Sequence, residues 1–252
     1  MSNLFDLTGK VAIVTGPNTG LGQAMSIALA AAGAKVSLVG RVDPDQTVES
    51  IEEAGGTCSV IMADLGTTDV IPGIVSETNK ALGPIDILVN NAGIIRREDA
   101  LDFSEENWDD VMAVNLRTPF FLAQAVARTM VDDGRPGKII NTASLLSFQG
   151  GIRVPSYTAS KSGIAGITRL LANEWASKGI NVNAIVPGYF ATDNTKDLRA
   201  DPVRSQEILT RIPAGRWGEP SDLAGAAVFL ASSASDYVQG VLLPVDGGWL
   251  AR

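Results

Sequence analysis

The chain has 252 residues, a length that suits one large domain as well as two small ones. Its net charge is −8 and its basic residues are scattered, so no basic patch predicts binding to nucleic acid or to an anionic membrane surface. Histidine is absent and Cys58 is the only cysteine. This composition excludes an intrachain disulfide, a thiolate metal cluster, a histidine-based zinc site and a Ser-His-Asp hydrolase, and we predict no metal site.

The chain carries no recognisable targeting or membrane segment. Its N-terminus lacks a basic region followed by an apolar run, which is the pattern of a signal peptide. No apolar stretch approaches the roughly 20 residues of a membrane-spanning helix. We therefore expect a protein of the reducing cytoplasm that does not bind membranes.

Short apolar runs alternate with longer helical patterns along the whole chain. The predicted elements are strand Lys10–Thr15, helix Gly20–Ala32, strand Lys35–Val39, helix Gln46–Ala54, strand Cys58–Met62, helix Thr67–Leu82, strand Ile85–Val89, a long helix capped by Ser104, strand Lys138–Asn141, helix Pro155–Ser177, strand Asn181–Val186, helix Pro220–Ala231 and strand Val241–Val245. Continuous apolar strands separated by helices indicate parallel strands buried on both faces. Because crossovers are right-handed, we predict an α/β fold with a doubly wound sheet flanked by helices.

No linker or change in composition divides the chain, so we expect residues 1–252 to form a single domain. The stretch of about residues 187–219 contains no strand pattern. Its Pro, Gly, Arg and Trp residues are typical of a substrate-covering loop with short helices.

The first predicted strand continues directly into a glycine-rich turn, Thr15–Gly22, and then into a helix. Glycine lets the backbone turn sharply and approach a ligand, and the N-terminus of the following helix suits a pyrophosphate. The spacing is G-x-x-x-G-x-G rather than the common G-x-G-x-x-G. A glycine-rich turn alone is weak evidence, but its position between a strand and a helix predicts a dinucleotide site.

Two polar residues at predicted strand ends bear on the choice of cofactor. Arg41 follows the second strand, where a bidentate contact with a 2′-phosphate would favour NADP(H), although Asp43 and Asp45 lie close enough to compete for it. Asp64 follows the third strand. Its carboxylate either accepts from the adenine amino group or caps the helix that begins near Thr67, and the sequence leaves both open.

Tyr157 and Lys161 are spaced to share one face of a helix, so phenol and ammonium can approach each other. At ~4 Å and an effective dielectric of ~20, an ammonium stabilises a phenolate by about 4 kcal/mol. That energy corresponds to roughly 3 pH units, and burial of the phenol opposes it. Taken alone, the pair is also compatible with a half-buried aromatic beside a solvated lysine.

Six segments, in this order, resemble the motifs of the short-chain dehydrogenase/reductase family. They are Thr15–Gly22, Asn90–Gly93, Asn115, Ser144, the pair Tyr157 and Lys161, and Pro187–Gly188 with Thr192. The resemblance covers nearly the whole chain. It implies a Rossmann-type domain with seven parallel strands, hydride transfer with a nicotinamide cofactor, and a homotetramer.

The family's residue roles transfer to matching positions. Ser144 would hold the substrate oxygen, Tyr157 would be the general acid in reduction and the base in oxidation, and Lys161 would lower the Tyr157 pKa and bind the nicotinamide ribose. Asn115 would stabilise a kinked helix and hold a relay water, or be a purely structural amide. The expected cofactor-binding residues are Gly16, Asn18, Thr19, Gly20, Leu21, Gly22, Arg41, Asp64, Leu65, Asn91, Ala92, Gly93, Tyr157, Lys161, Pro187, Gly188 and Thr192.

Four segments resemble one group within that family, the 2-dehydro-3-deoxy-D-gluconate 5-dehydrogenases, also described as 2-deoxy-D-gluconate 3-dehydrogenases. They are Gly93–Ala100, Ser144–Tyr157, Arg211–Gly218 and Asp246–Arg252. This resemblance implies a deoxy keto-sugar acid substrate from the breakdown of pectin or alginate. It also favours NAD(H), whereas Arg41 favours NADP(H). A 3-oxoacyl thioester or polyol reductase is the main alternative, and a catalytically inactive nicotinamide-binding regulator is a remote one.

A sugar-acid substrate needs a cation for its carboxylate, and arginine suits planar bidentate recognition. Arg96, Arg97 and Arg153 flank the expected site, although each one alone is compatible with a surface salt bridge. Ser144, Gln149 and Tyr157 are the other expected substrate contacts.

The C-terminal segment is apolar for a free tail. Exposed Trp249 and Leu250 would be unfavourable, so we expect them to be buried at a subunit interface, or else against the chain's own sheet.

Overall fold

The computed structural model of the chain describes residues 3–252. Its strands are β1 Val11–Thr15, β2 Lys35–Gly40, β3 Thr57–Met62, β4 Ile87–Asn90, β5 Gly137–Thr142, β6 Ile180–Pro187 and β7 Leu242–Val245. They form one seven-stranded sheet in the order β3-β2-β1-β4-β5-β6-β7. Every neighbouring pair is parallel. The predicted doubly wound parallel sheet is confirmed.

Helices cover both faces of this sheet. They are α1 Gly20–Ala31, α2 Asp45–Glu53, α3 Ile71–Leu82, α4 Glu105–Met112, α5 Thr118–Asp132, α6 Pro155–Trp175, α7 Lys196–Ala200, α8 Pro202–Arg211 and α9 Ala224–Ala231. Leu29 of α1 and Leu230 of α9 belong to the core on one face. Ile74 of α3, Val126 of α5 and Leu171 of α6 belong to the core on the other. The strands between them are buried on both sides, which explains their continuous apolar sequences.

The predicted long helix after Ser104 is divided by a π-helical turn. Ser104 caps α4 as expected, since its hydroxyl accepts from the Asn107 N–H at 3.2 Å. The π turn spans Ala113–Arg117 and separates α4 from α5. Pro119 has no N–H to donate to the Asn115 carbonyl, so a regular α-helical bond is impossible there. Two other helices begin later than the sequence predicts. Helix α3 begins at Ile71 and not near Thr67, and α9 begins at Ala224 after a 3₁₀ turn, Pro220–Leu223, and not at Pro220.

The strand order reverses between β1 and β4, and hydrogen bonds lock these two strand ends together. The Thr15 hydroxyl accepts from the backbone N–H groups of Asn91 and Ala92, both at 2.9 Å. The Asn91 amide donates in return to the carbonyls of Thr15 at 3.0 Å and Gly16 at 3.2 Å. Parallel α/β sheets bind ligands at such a reversal, outside the carboxyl ends of the strands.

The segment that follows β6 contains the short helices α7 and α8. The Asp201 carboxylate caps α8 by accepting from the N–H groups of Val203 and Arg204, both at 3.0 Å. Short helices in this part of the chain agree with the sequence-based expectation. Within residues 3–252, none of the helices combines the length and the apolar character that crossing a membrane requires.

Candidate active site

A cleft of about 300 Å³ opens at the carboxyl ends of β1, β4, β5 and β6. Residues from both halves of the sheet line it. They are Gly16, Asn18, Thr19, Gly20, Leu21, Gly22, Asn91, Ala92, Gly93, Thr142, Ala143, Ser144, Tyr157, Lys161, Pro187, Gly188, Phe190, Thr192, Asp193, Asn194 and Thr195. The cleft therefore unites most of the expected cofactor residues with three of the four expected catalytic ones.

The glycine-rich turn leaves room for a ligand at the start of α1. Gly16 and Gly20 have φ values of 67° and 57°, which favour glycine. A Cβ atom on Gly22 would collide with the Gly16 carbonyl and the Asn91 amide. Thr19 precedes α1 and makes no side-chain capping bond, so the first N–H groups of the helix are open to the cleft. Open N–H groups at a positive helix end fit a pyrophosphate.

Lys161 is buried behind Tyr157 on the inner face of α6. Its side chain is close to fully buried, and its ammonium donates to the Thr142 carbonyl at 2.6 Å. The ammonium nitrogen lies 5.6 Å from the centre of the Tyr157 ring. The i, i+4 spacing on one helix thus brings the two side chains together as the sequence predicts.

Burial dominates the ionisation of both groups. It raises the pKa of Tyr157, while interaction with the Ser144 side chain and the charge of Arg97 act in the opposite direction. Burial also lowers the pKa of Lys161 from 10.5 to about 8. Desolvation of the phenolate therefore outweighs the favourable interactions nearby, and the pKa of Tyr157 lies above its ordinary value. The lowering of that pKa by Lys161 stays a prediction.

Asn115 lies behind the cleft, in the π turn. Its Oδ1 accepts from the Ile94 N–H at 2.8 Å, and its Nδ2 donates to the Ile94 carbonyl at 2.9 Å and to the Ser160 hydroxyl at 3.3 Å. A Cβ atom on Gly93 would lie 3.3 Å from the Asn115 Oδ1. These contacts fasten the loop after β4 to α6. Such an arrangement is expected if Asn115 is a purely structural amide.

Arg41 and Asp64 lie outside the cleft, in a neighbouring pocket of about 630 Å³. The Arg41 Nε is 3.8 Å from the Asp64 Oδ1, so Asp64 is the carboxylate within ion-pair distance. Asp64 does not cap α3, and its Oδ1 instead accepts from the Gly66 N–H at 2.9 Å. Leu65, which the sequence also assigned to the cofactor, is buried in the core.

The three candidate arginines point to different partners. Arg96 donates to the Asp110 carboxylate at 3.1 Å. The Nε of Arg153 lies 3.4 Å from the Asp99 carboxylate. Arg97 donates to the Asn194 carbonyl, which lines the cleft, at 3.0 Å. Of the three, Arg97 is the one whose charge reaches Tyr157.

Gln149 joins the loop after β5 to the C-terminal segment. Its Oε1 accepts from Trp249 Nε1 at 3.3 Å and from Arg211 Nη2 at 3.4 Å. The Arg211 guanidinium stacks 4.1 Å from the centre of the Trp249 ring. Trp249 is buried within its own chain, so the expectation that it requires a subunit interface is wrong. Leu250 is half-buried and packs against the same core.

Comparisons with known proteins agree with the resemblance that the sequence motifs indicate. A family model described as enoyl-(acyl carrier protein) reductase matches residues 16–250. The chain is 61% identical over 248 residues to a 2-dehydro-3-deoxy-D-gluconate 5-dehydrogenase of Escherichia coli K12, covering 98% of each chain. It is 60% identical to the enzyme of that name from Dickeya dadantii, covering 99% of each. The chain belongs to the short-chain dehydrogenase/reductase family.

A solved structure shows the same fold. It is described as a putative 2-deoxy-D-gluconate 3-dehydrogenase of Agrobacterium tumefaciens with bound NADP, and it is 58% identical with a TM-score of 0.95 over 100% of both chains. The family and the group indicated by the motifs are therefore confirmed. Members of the family are NAD(P)-dependent oxidoreductases, and this chain is an enzyme of that kind.

Several residues that shape the site escaped prediction from the sequence. Thr142 supplies the carbonyl that binds Lys161, and Phe190 and residues 193–195 line the cleft. Ser160 anchors Asn115, and Arg211 holds Gln149. The position of Thr142 at a strand end was a usable signal. The others act through contacts between distant segments, for which spacing gives no sign.

The lowered pKa of Lys161 predicts a pH-dependent stability difference. The folded protein releases this proton near pH 8, whereas the unfolded chain releases it near 10.5. Between these values the unfolded chain binds more protons, so stability rises with pH. Urea unfolding of the unliganded wild type and of Lys161→Met measures the effect. We expect the free energy of unfolding of the wild type to rise relative to that of Lys161→Met between pH 8 and pH 10.5. A difference between the two proteins that does not change with pH would contradict the burial of the ammonium.

Proposed function

We propose that the enzyme transfers a hydride between a nicotinamide cofactor and a keto or hydroxyl group of a deoxy sugar acid. The substrate would be of the 2-dehydro-3-deoxy-D-gluconate or 4-deoxy-5-keto-uronate type, in the breakdown of polyuronates such as pectin or alginate. One observation carries the proposal. Ser144, Tyr157 and Lys161 line one cleft with a glycine turn that fits a dinucleotide, in a chain about 60% identical over its full length to enzymes named for this substrate.

The cofactor, when bound, supplies or accepts the hydride, and the side chains of this protein handle the proton. In reduction, the Ser144 hydroxyl holds the substrate carbonyl oxygen and the Tyr157 phenol donates its proton to that oxygen. The raised pKa of Tyr157 keeps the phenol protonated at neutral pH, as a proton donor requires. In oxidation Tyr157 accepts the proton, which higher pH favours. Lys161 would bind the nicotinamide ribose and add positive charge behind the phenol, which its position 5.6 Å from the centre of the Tyr157 ring supports.

The remaining assigned roles extend this proposal. Gly16–Gly22 would hold the pyrophosphate, Asn91–Gly93 would pack against the cofactor, and Pro187, Gly188 and Thr192 would orient the carboxamide. Leu65 would contribute backbone contacts only, because its side chain is buried. Residues 187–219 would cover the substrate. Asn115 would bind a relay water through its Oδ1, which can accept a second hydrogen bond beside the one from the Ile94 N–H.

Arg97 is the best placed of the three arginines to contact the substrate. Arg96 and Arg153 face carboxylates of their own chain. Arg97 donates to a backbone carbonyl, no carboxylate of residues 3–252 pairs with it, and its charge acts on Tyr157. An anionic substrate gains from such a charge. Gln149 would contribute through its NH₂ group, because its carbonyl oxygen already accepts from Trp249 and Arg211.

We propose that NADP(H) is the preferred cofactor and that NAD(H) is also used. Arg41 lies beside the adenosine end of the site, and its Asp64 contact of 3.8 Å between exposed side chains is weak enough to yield to a 2′-phosphate. The Agrobacterium relative holds NADP, which agrees with this preference.

We also propose a homotetramer in the cytoplasm. Exposed Trp108 of α4, Phe121 of α5 and Leu170 of α6 offer apolar surface for subunit contacts. A lone cysteine and a nicotinamide cofactor suit a reducing compartment. Light scattering measures the assembly, and a monomer at micromolar concentration would contradict it.

A steady-state panel tests the function. Keto-deoxyuronates with NADPH and NADH are compared with an acetoacetyl thioester and polyols, and we expect turnover on the sugar acids to exceed that on the others. Tyr157→Phe is expected to lower kcat by about 10²–10⁴-fold while cofactor binding persists, because only the proton donor is lost.

Tyr237→Phe is the matched control, since the Tyr237 side chain is fully exposed. A preference for the thioester would show that the substrate is a 3-oxoacyl thioester and not a sugar acid. Cofactor binding without oxidation or reduction of any compound would favour the regulator.

Arg97→Ala is expected to raise KM for the sugar acid about tenfold, which corresponds to roughly 1.4 kcal/mol. Arg153→Ala, which removes an arginine already paired with Asp99, is the control and should leave KM unchanged. A larger effect at Arg153 than at Arg97 would reverse the assignment.

Arg41→Ala is expected to weaken the binding of NADPH by about tenfold or more and to leave the binding of NADH nearly unaffected, because only NADPH carries the 2′-phosphate. The ratio of kcat/KM for the two cofactors measures this. An equal loss with both, or a wild type that prefers NADH, would contradict the role of Arg41.

A further inference from the structure

Ser147, which has no assigned role, is hydrogen-bonded to the backbone of two catalytic residues. Its hydroxyl donates to the Lys161 carbonyl at 2.6 Å and accepts from the Ser144 N–H at 3.3 Å. Ser147 closes a single 3₁₀ turn, Leu145–Ser147, which begins immediately after Ser144. One side chain therefore connects the strand-end loop that carries Ser144 to the helix that carries Tyr157 and Lys161.

Packing also holds this turn, because Leu145 is buried in the core that contains Ile164 and Ala165 of α6, but it does not fix the Ser144 backbone directly. The Ser144 hydroxyl accepts from the Leu146 N–H at 3.2 Å, and the Ser147 N–H donates to the Ser144 carbonyl at 2.9 Å. Both bonds shape the turn internally and do not set its distance from α6. The Ser162 hydroxyl adds a second link to α6, by donating to the Leu146 carbonyl at 3.2 Å, but this bond is exposed and involves neither catalytic residue.

We propose that Ser147 is a positioning residue whose hydroxyl holds Ser144 at its working distance from Tyr157. The inference rests on the proposed function, because it takes Ser144, Tyr157 and Lys161 as the catalytic residues. It assigns the short Ser147–Lys161 bond a catalytic consequence, because the Lys161 carbonyl lies on the same helix, one turn beyond the phenol.

Loss of this hydroxyl has two expected effects. Ser147→Ala leaves the Ser144 N–H without its acceptor and frees the turn to shift against α6. Displacement of a catalytic group by about 1 Å can lower a rate by around 10²-fold. A displaced Ser144 also loses its interaction with Tyr157, which opposes the raised pKa of that phenol, so the pKa rises further.

The experiment compares Ser147→Ala with Ser147→Thr, which retains a hydroxyl, and with Ser162→Ala, which removes the neighbouring bond. We expect Ser147→Ala to lower kcat about 10–100-fold with little change in KM or Tm, and to move the pH profile towards higher pH. Ser147→Thr should recover most of the rate, and Ser162→Ala should behave as the wild type. Wild-type kcat and pH profile in Ser147→Ala, or equal losses in both alanine variants with a lowered Tm, would overturn the proposal.

A second measurement does not require turnover. Alkaline difference absorbance follows ionisation of the 3 tyrosines, and Tyr157→Phe identifies the Tyr157 step. We expect that step at higher pH in Ser147→Ala than in the wild type, and an unchanged step would overturn the proposal. If the wild type reduces no sugar acid but the Tyr157 step moves, the proposed substrate fails and the positioning role stands.

Discussion

A buried ammonium beside a half-buried phenol is the constraint around which the site is built. Removal from water disfavours the charge on both groups, which raises the pKa of Tyr157 and lowers that of Lys161. Within residues 3–252, the ammonium has a single hydrogen bond, of 2.6 Å to the Thr142 carbonyl, to offset its burial. Protein contacts alone therefore leave the pair partly unsatisfied. Ribose hydroxyls and a substrate oxygen are the kinds of group that would complete it.

The parallel sheet holds the backbone atoms around this pair in fixed positions. Thr142 presents its carbonyl because β5 ends there, between β4 and β6 in a parallel sheet. Asn91 and Thr15 join the ends of β4 and β1 with reciprocal hydrogen bonds. Each bond uses a side chain to hold a neighbouring main chain. Strand register thereby sets the inner wall of the cleft, and the segment after β6 supplies the other wall.

The succession of strands and helices along the chain and the closeness of Tyr157 and Lys161 could be predicted from the sequence, because apolar runs and i, i+4 spacing are local signals. It was less informative where a residue's role depends on a distant partner. Asp64 suits a helix cap or an adenine contact by sequence, yet α3 begins too far away and Asp64 faces Arg41. The apolar C-terminal sequence predicts burial of Trp249 at a subunit interface, whereas Arg211 and Gln149, remote in the chain, cover it. The effect of burial on Tyr157 also requires the packed structure, since spacing alone shows only the favourable charge.

The π turn at Ala113–Arg117 has a consequence for how this family can tolerate insertions and deletions. A π turn closes with i→i+5 bonds, so it takes up one residue more than an α-helical turn. Deleting a residue within it would remove or displace the Asn115 carboxamide from Ile94 and Ser160, and the loop after β4 would lose its attachment to α6. Pro119 would still lack the N–H that regular winding needs. The surplus residue thus sets where one buried amide points, and a gap here is expected to be far less acceptable than one in an exposed loop.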